Sequence, residues 1–262
     1  MLRALYSSAS GMESQQMNLD VIANNLANVN TTGFKKAKIE FQDLLYQTKR
    51  AAGSESGPGT QVPTALQVGH GARPVSTAKI FTAGEIMSTG ERLDLAIHGN
   101  GFFKVTLADG TNAYTRDGGF KLDSTGSIVT SDGLPVTSFA GVTISPEATN
   151  VSISQTGIVS VTQNGTTSTA GSLVLSRFAN SAGLENIGAN LYRETPASGT
   201  EQTGEPSNAG MGTVQQGYLE LSNVKVVEEM VNLIKAQRAY EINSKAIQAA
   251  DEMMSMSNRL RG

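Results

Sequence analysis

The 262-residue chain contains no cysteine and no tryptophan, and its two histidines, His70 and His98, lie far apart in sequence. Without thiols it can form no disulfide and no iron–sulfur cluster, and two separated imidazoles are too few for an ordinary zinc centre. The lack of cysteine leaves the redox compartment open, since such a chain tolerates oxidising surroundings as well as reducing ones. Charge is also scarce. Charged residues make up 16% and hydrophobic residues 39% of the chain. Both are below ordinary globular usage, so much of the surface must be Ser, Thr, Asn, Gln and Gly. Twenty basic residues against 23 acidic ones give a net charge of −3. No basic field exists to hold a polyanion, which argues against nucleic acid as a partner. No long apolar run occurs, so no membrane span is expected. The N-terminal stretch MLRALYSSASGMESQQMN carries one early charge, Arg3, but no apolar core of the length a cleaved signal peptide needs.

The two ends differ from the middle. Leu2, Leu5, Ala9, Met12, Gln16, Leu19, Ala23 and Leu26 recur at alternating steps of three and four, with Ile22 and Val29 widening the stripe. This heptad seam predicts a helix from Leu2 to Asn28, stopped in NVNTTG, where Gly33 supplies the turn out of the helix. From Val224 to Arg259 there is neither Gly nor Pro. Val226, Met230, Leu233, Tyr240, Ile247 and Met254 form one apolar row, and Val227, Val231, Ile234, Ile242, Ala246, Ala249 and Met253 a second row beside it. Ser222 or Asn223 is expected to cap this second helix, with Glu228 and Glu229 at the positive end of its dipole. A two-stranded coil needs only a narrow seam, so the surplus face must bury either on the middle of the chain or on other copies of it. The width of the stripe favours other copies.

The middle reads as all-β. Turn dipeptides recur at Asp109-Gly110, Asp117-Gly118, Thr125-Gly126 and Asp132-Gly133, with strand-like runs between and after them: FFKVTL, AYTR, FKL, SIVT, VSIS, IVSVTQ and LVLSRF. The expected fold class is therefore α+β. A discontinuous terminal coiled-coil helical domain (1–43 and 213–262) carries an inserted all-β domain of short antiparallel strands (78–212). Ala51–Thr64 and Pro196–Gly212 are rich in Gly, Pro and small polar residues and read as loops or extended spacers.

A search for chemistry assigns no catalytic residue, no cofactor site and no metal site. There is no G-x-S-x-G elbow, and GNGFF after His98 lacks the P-loop Lys and leads into a strand, so it reads as a tight turn. Asp94, Asp109, Asp117, Asp123 and Asp132 are spaced as turn residues, not as a calcium loop. The cluster KKAK, Lys35 to Lys38, is expected to be a solvated face, and the methionines near the C-terminus adaptable packing.

Four segments carry a family resemblance. LDVIANNLANVNTTGFKK (Leu19 to Lys36) resembles the N-terminal signature of the bacterial flagellar rod and hook proteins. LDLAIHGNGFFKV (Leu93 to Val105) and YTRDGGFKLDSTGSIVTSDGLPV (Tyr114 to Val136) are similar to two internal motifs of that family. GYLELSNVKVVEEMVNLIKAQRAYEINSKAIQAADEMM (Gly217 to Met254) is similar to its C-terminal motif. Residues 44–77 look most like the extra stretch of the members that build the distal rod. The segment from about Ala140 to Thr169 matches no motif of the family.

The resemblance implies a structural protein and not an enzyme. Its terminal helices would line a straight hollow helical tube that transmits torque and conducts export substrates, with the β domain as outer wall. It implies a helical homo-oligomer that meets proximal rod subunits, hook subunits and the surrounding P and L rings. Delivery would be by the flagellar type III export apparatus, without signal cleavage, to a basal-body rod in the periplasm that reaches the outer membrane. The terminal helices of the family fold on assembly, which suits helices too apolar to stand exposed. The residues expected to bury within and between subunits are Leu5, Met12, Leu19, Ile22, Leu26, Val231, Ile234, Tyr240, Ile247 and Met254. Asn24, Asn25 and Asn28 either satisfy backbone groups of neighbours or are ordinary helix-surface residues. Residues 44–77, with Gly57, Pro58 and Pro63, would brace neighbouring subunits as an ordered interface loop. The alternatives are a proximal rod or hook subunit, or, from another class, a secreted β-domain binding protein or enzyme with coiled-coil ends.

Overall fold

The computed structural model describes residues 2–57, 60–139, 141–145, 148–163, 165–208 and 210–259. Pro58 lies outside the described residues. Two compact units result: residues 1–27, 37–78 and 225–262 form one, and 28–36 with 79–224 the other. Composition suggested boundaries at 43, 77 and 212. By spatial packing, residues 28–36 and 213–224 go with the β unit and 37–78 with the helices.

In the helical unit, α1 spans Leu2–Ala27 and α2 spans Val226–Arg259. Both follow from long stretches without Pro, in which Gly11 is the only glycine. The helices run antiparallel: Asn25 Nδ2 donates to Glu229 Oε2 at 3.5 Å, and Gly11 lies against the Asn243 side chain near the other end of α1. A Cβ on Gly11 would stand 2.9 Å from Asn243 Nδ2, so the missing side chain permits the close approach. The buried residues described on this pair are mostly small or polar: Ser14, Ile22, Asn25, Glu229, Ala236 and Ala250. Neither Ser222 nor Asn223 caps α2. Ser222 Oγ accepts from the Val224 N–H, and the Asn223 amide is engaged by Lys36 and Ile80, so α2 begins later, at Val226.

An arm of strands packs on α1. Ala37–Asp43 pairs with Ala72–Lys79, and Tyr46–Arg50 pairs antiparallel with Leu66–Gly69. Small residues of α1 seat it: Ser14 Oγ donates to Ala72 O at 3.4 Å, and Gly71 lies directly against Ser10. Within the stretch expected to be a loop, Glu55–Gly57 pairs with Thr60–Gln61, and Val62 is buried under Gly53, whose N–H it accepts at 2.8 Å.

The β unit holds the runs expected from its turn dipeptides. A four-stranded antiparallel sheet has the order Glu185–Gly188, Leu191–Arg193, Asn112–Thr115, Phe103–Thr106. Asn150–Ile153, Ile158–Gln163 and Thr166–Ser172 form a second sheet. Leu95, Ile97, Phe103, Val105, Phe120, Ile144, Val159, Leu173 and Leu175 fill the main core. A smaller aromatic cluster of Phe102, Tyr114, Phe178 and Tyr192 packs edge to face, with Phe81 against it. Asp117-Gly118 is not a hairpin tip like its three relatives. The Leu95 carbonyl passes so close to Gly118 that a Cβ there would collide with it, and the glycine is required for that crossing.

Pro196–Gly212 is not a spacer. Ser198 is buried, Gln202–Gly204 pairs with Leu175–Arg177, and Glu201 accepts from Lys104 Nζ at 2.8 Å and Ser176 Oγ at 2.6 Å. Side-chain bonds, invisible in a Gly- and Pro-rich composition, hold it down. Burial works to raise the Glu201 pKa, but the bonds from Lys104 and Ser176 outweigh it and hold the carboxyl below its usual value.

Candidate functional site

Two kinds of site stand out: surfaces left apolar, and a buried polar junction. The first is a consequence of pairing only two helices. One seam cannot cover two rows of apolar side chains. Along α2, Val227, Met230, Val231, Ile234, Tyr240, Ile242, Met253 and Met256 remain exposed, Val227 at 75% and Ile234 at 54%. Of the residues expected to bury, Ile22 does so within the single chain. Leu5, Met12, Leu19, Leu26, Ile247 and Met254 are half-buried, and Val231, Ile234 and Tyr240 are exposed. Large apolar patches of this kind mark association surfaces. The arm adds Phe41, Leu45, Tyr46, Leu66 and Val75, and Pro63 is exposed on it.

The asparagines divide. Asn25 is fully committed inside the subunit: its Nδ2 donates to Ala37 O at 2.8 Å, and its Oδ1 accepts from Ala37 N at 2.9 Å. It thus serves the chain's own backbone and not a neighbour's. Asn24 is exposed, and Asn28 Oδ1 accepts from Thr31 Oγ1 at 3.1 Å just past α1.

The polar junction lies within the β unit, where the chain enters and leaves it. Lys35 was expected in solvent and is instead completely buried. Its Nζ donates to Glu220 Oε1 at 2.5 Å and to Thr82 O at 2.8 Å. Glu220 Oε1 also accepts from the Gly84 N–H at 2.9 Å, while Oε2 faces Arg116 Nη1 at 3.6 Å. Arg116 in turn donates to Gly99 O at 2.6 Å and to Ile97 O at 3.3 Å, and lies over the Phe102 ring. Burial pushes the pKa of both Lys35 and Arg116 down, and the charge of Glu220 opposes it.

Backbone contacts complete the junction. Gly33 N donates to Glu220 O at 2.8 Å, and Lys36 N donates to Asn223 Oδ1 at 2.7 Å. Asn223 Nδ2 donates to Ile80 O at 2.8 Å. The incoming segment at 33–36, the segment at 80–84 and the outgoing one at 220–223 are therefore tied to one another. Gly33 adopts φ +68° here, and a Cβ would lie 2.5 Å from Asp117 N. Nothing in the local sequence marked Lys35 as buried, because its partners lie far away in the chain.

Asp109 and Asp123 behave as turn residues, each accepting from a following N–H. His98 is exposed and sits in the ladder of Leu95–His98 with Thr213–Gln216. Among the described residues no group of three or more His, Asp or Glu is placed to hold a metal ion, and no helix is long and apolar enough to cross a membrane.

Residues 5–35 match the family model described as flagella basal body rod protein. Residues 96–161 match that of the flagellar hook protein FlgE/F/G D1 domain, and residues 215–260 that of the flagellar basal body rod FlgEFG protein C-terminal. The chain is 51% identical to the flagellar basal-body rod protein FlgG of Borreliella burgdorferi, over 100% of this chain and 99% of that relative. It is 47% identical to the protein of that name from Caulobacter vibrioides, over 99% and 100%. To the one from Bacillus subtilis it is 44% identical, over 97% of each. The similarity to the FlgF rod protein of Caulobacter vibrioides is lower, at 37% over 95% of this chain and 94% of that relative.

Proposed function

The chain belongs to the bacterial flagellar rod and hook protein family, and from that premise we propose that it is the structural subunit of the distal rod. Its relatives are structural proteins of the flagellar rod, a part in which it joins other flagellar components. The finer reading is mechanical. Copies stack into a straight hollow helical tube that carries torque and leaves a central path for export substrates. The terminal helices form its inner layer and the β unit its wall. Catalysis has no part in it.

The observation that carries this reading is the apolar stripe left in solvent along α2. An apolar stripe of this extent on the surface of the single chain marks a face that neighbours cover. Leu5, Met12, Leu19, Leu26, Val231, Ile234, Tyr240, Ile247 and Met254 are the residues we assign to contacts between copies. Residues 44–77, including Gly57 and Pro63, brace adjacent subunits and keep the tube straight. Proximal rod and hook subunits adjoin it, and the P and L rings surround it in the periplasm. The type III export apparatus delivers it without signal cleavage.

Electron microscopy of basal bodies from cells lacking the gene tests the assignment. A truncated rod without hook or filament is the expected result. A complete rod lacking only its hook would move the subunit to the hook side, and intact flagella would overturn the reading.

A further inference from the structure

Two features of this molecule are complementary to each other. The β unit carries a cleft of about 550 Å³, within the size range of specific binding pockets, about 300–1,000 Å³. Leu93, Phe120, Ile144 and Val151 form most of its apolar lining, and Glu91, Arg92, Asp94 and Lys121 contribute two charges of each sign. The arm of the helical unit carries the second feature, Leu45, which is 88% exposed. Leu45 is not on a loose loop. The His70 ring donates from Nδ1 to Leu45 O at 2.9 Å, and Leu44 N donates to Gly71 O at 2.9 Å. The backbone therefore presents the side chain outward from a fixed position, with Asp43 before it and Lys49 and Arg50 after it.

We propose that Leu45 of one copy seats in this cleft of the next copy. The inference rests on reading the chain as a subunit of a polymer. It favours the cleft over the α2 stripe for a chemical reason. Leu45 is a projecting apolar residue on an arm that carries charges of both signs, which fits an apolar hole with two charges of each sign in its lining. The α2 stripe is continuous and asks for another stripe. A knob and a hole on different parts of one molecule make a heterologous contact, and such contacts propagate into helices instead of closing into dimers.

The chain has no cysteine, so engineered thiols report cleanly. Full-length subunits carrying Leu45→Cys are mixed with subunits carrying Leu122→Cys, whose side chain lies on the cleft wall and is 42% exposed. The mixture is assembled and treated with a short bismaleimide. The expected result is a cross-linked dimer from the mixture that neither variant gives alone, and a ladder of higher multimers when both changes are on one chain. Polymers that assemble normally but give no mixed dimer would overturn the contact while leaving the polymer reading intact. So would a Leu45→Cys variant that cross-links to itself, or one that cross-links to Ile234→Cys on α2. Subunits that never polymerise would overturn the reading and this contact together.

Discussion

Lys35 and Glu220 are 185 residues apart in sequence, yet their side chains meet at 2.5 Å with both fully buried. Removing Glu220 leaves two buried cations, Lys35 and Arg116, without their carboxylate, so Glu220→Gln is expected to destabilise the chain by about 3–5 kcal/mol. Lys35→Met leaves Glu220 still facing Arg116 and should cost less. The double variant Lys35→Met/Glu220→Gln should lose less than the two single losses combined, by about 1–3 kcal/mol. Denaturant unfolding of the four proteins measures this. Strict additivity would mean that the two charges do not depend on each other.

Gly33 and Gly90 share nearly the same backbone, φ +68° and +74°, but not the same surroundings. An added Cβ at Gly33 meets the Asp117 backbone, whereas at Gly90 it meets nothing within 4 Å. Gly90→Ala should cost about 1–2 kcal/mol, the price of a left-handed alanine. Gly33→Ala adds a clash with backbone that cannot rotate away, and should cost clearly more. Thermal unfolding compares the two, and equal losses would show that the clash is relieved by a shift of the turn.

The helices were legible because their apolar period runs unbroken by Gly or Pro, and the β unit because its Asp-Gly and Thr-Gly pairs mark hairpins. Long-range pairing was not legible. Lys35 sits in a cluster of lysines that reads as a solvated face, and its burial depends on Glu220 and Thr82. Asn25 reads either as a partner for a neighbour's backbone or as an ordinary helix-surface residue until Ala37 turns back against it. The Gly- and Pro-rich centre of residues 51–64 masked the strands on either side, which pair only after the chain reverses. The exposed rows on α2 could be read as surplus, but which of them a second helix covers depends on the register that Gly11 and Asn243 permit.

Asn25 holds both backbone groups of Ala37. Asn25→Ala would leave a half-buried donor and a half-buried acceptor of Ala37 without partners, each costing at most about 1–3 kcal/mol. Hydrogen exchange reads this directly: the Ala37 amide should lose its protection while the amide of Leu95, in the core of the β unit, keeps it. Unchanged exchange at Ala37 would mean another group replaces the amide.

Alkaline pH should unfold the chain from the β unit. Burial raises the pKa of the Tyr192 phenol to about 12 and that of Tyr114 also. In the unfolded chain both would ionise near pH 10. The folded state therefore holds protons that the unfolded state releases, so this contribution is complete below pH 10 and is lost as pH rises from 10 towards 12. For Tyr192 it amounts to about 2–3 kcal/mol. Tyr192→Phe should flatten the fall in stability over that window, and an unchanged slope would refute the assignment.

Ile234 is 54% exposed, whereas Ile22 is buried within the chain, and an aspartate at each position separates folding from assembly. Ile22→Asp places a charge in a packed site and should unfold the helical unit. Ile234→Asp changes a surface position of the single chain, where substitutions usually stay within about 0.5 kcal/mol. If the α2 stripe is covered by other copies, the same charge becomes buried only on assembly, and the cost falls on the polymer. The expected outcome is a subunit with unchanged unfolding midpoint, exported normally, in cells without motility or a completed rod. Motile cells with this variant would show that Ile234 faces water in the assembled rod, and the contact between copies would have to be sought on the other exposed apolar residues of α2 or on the arm.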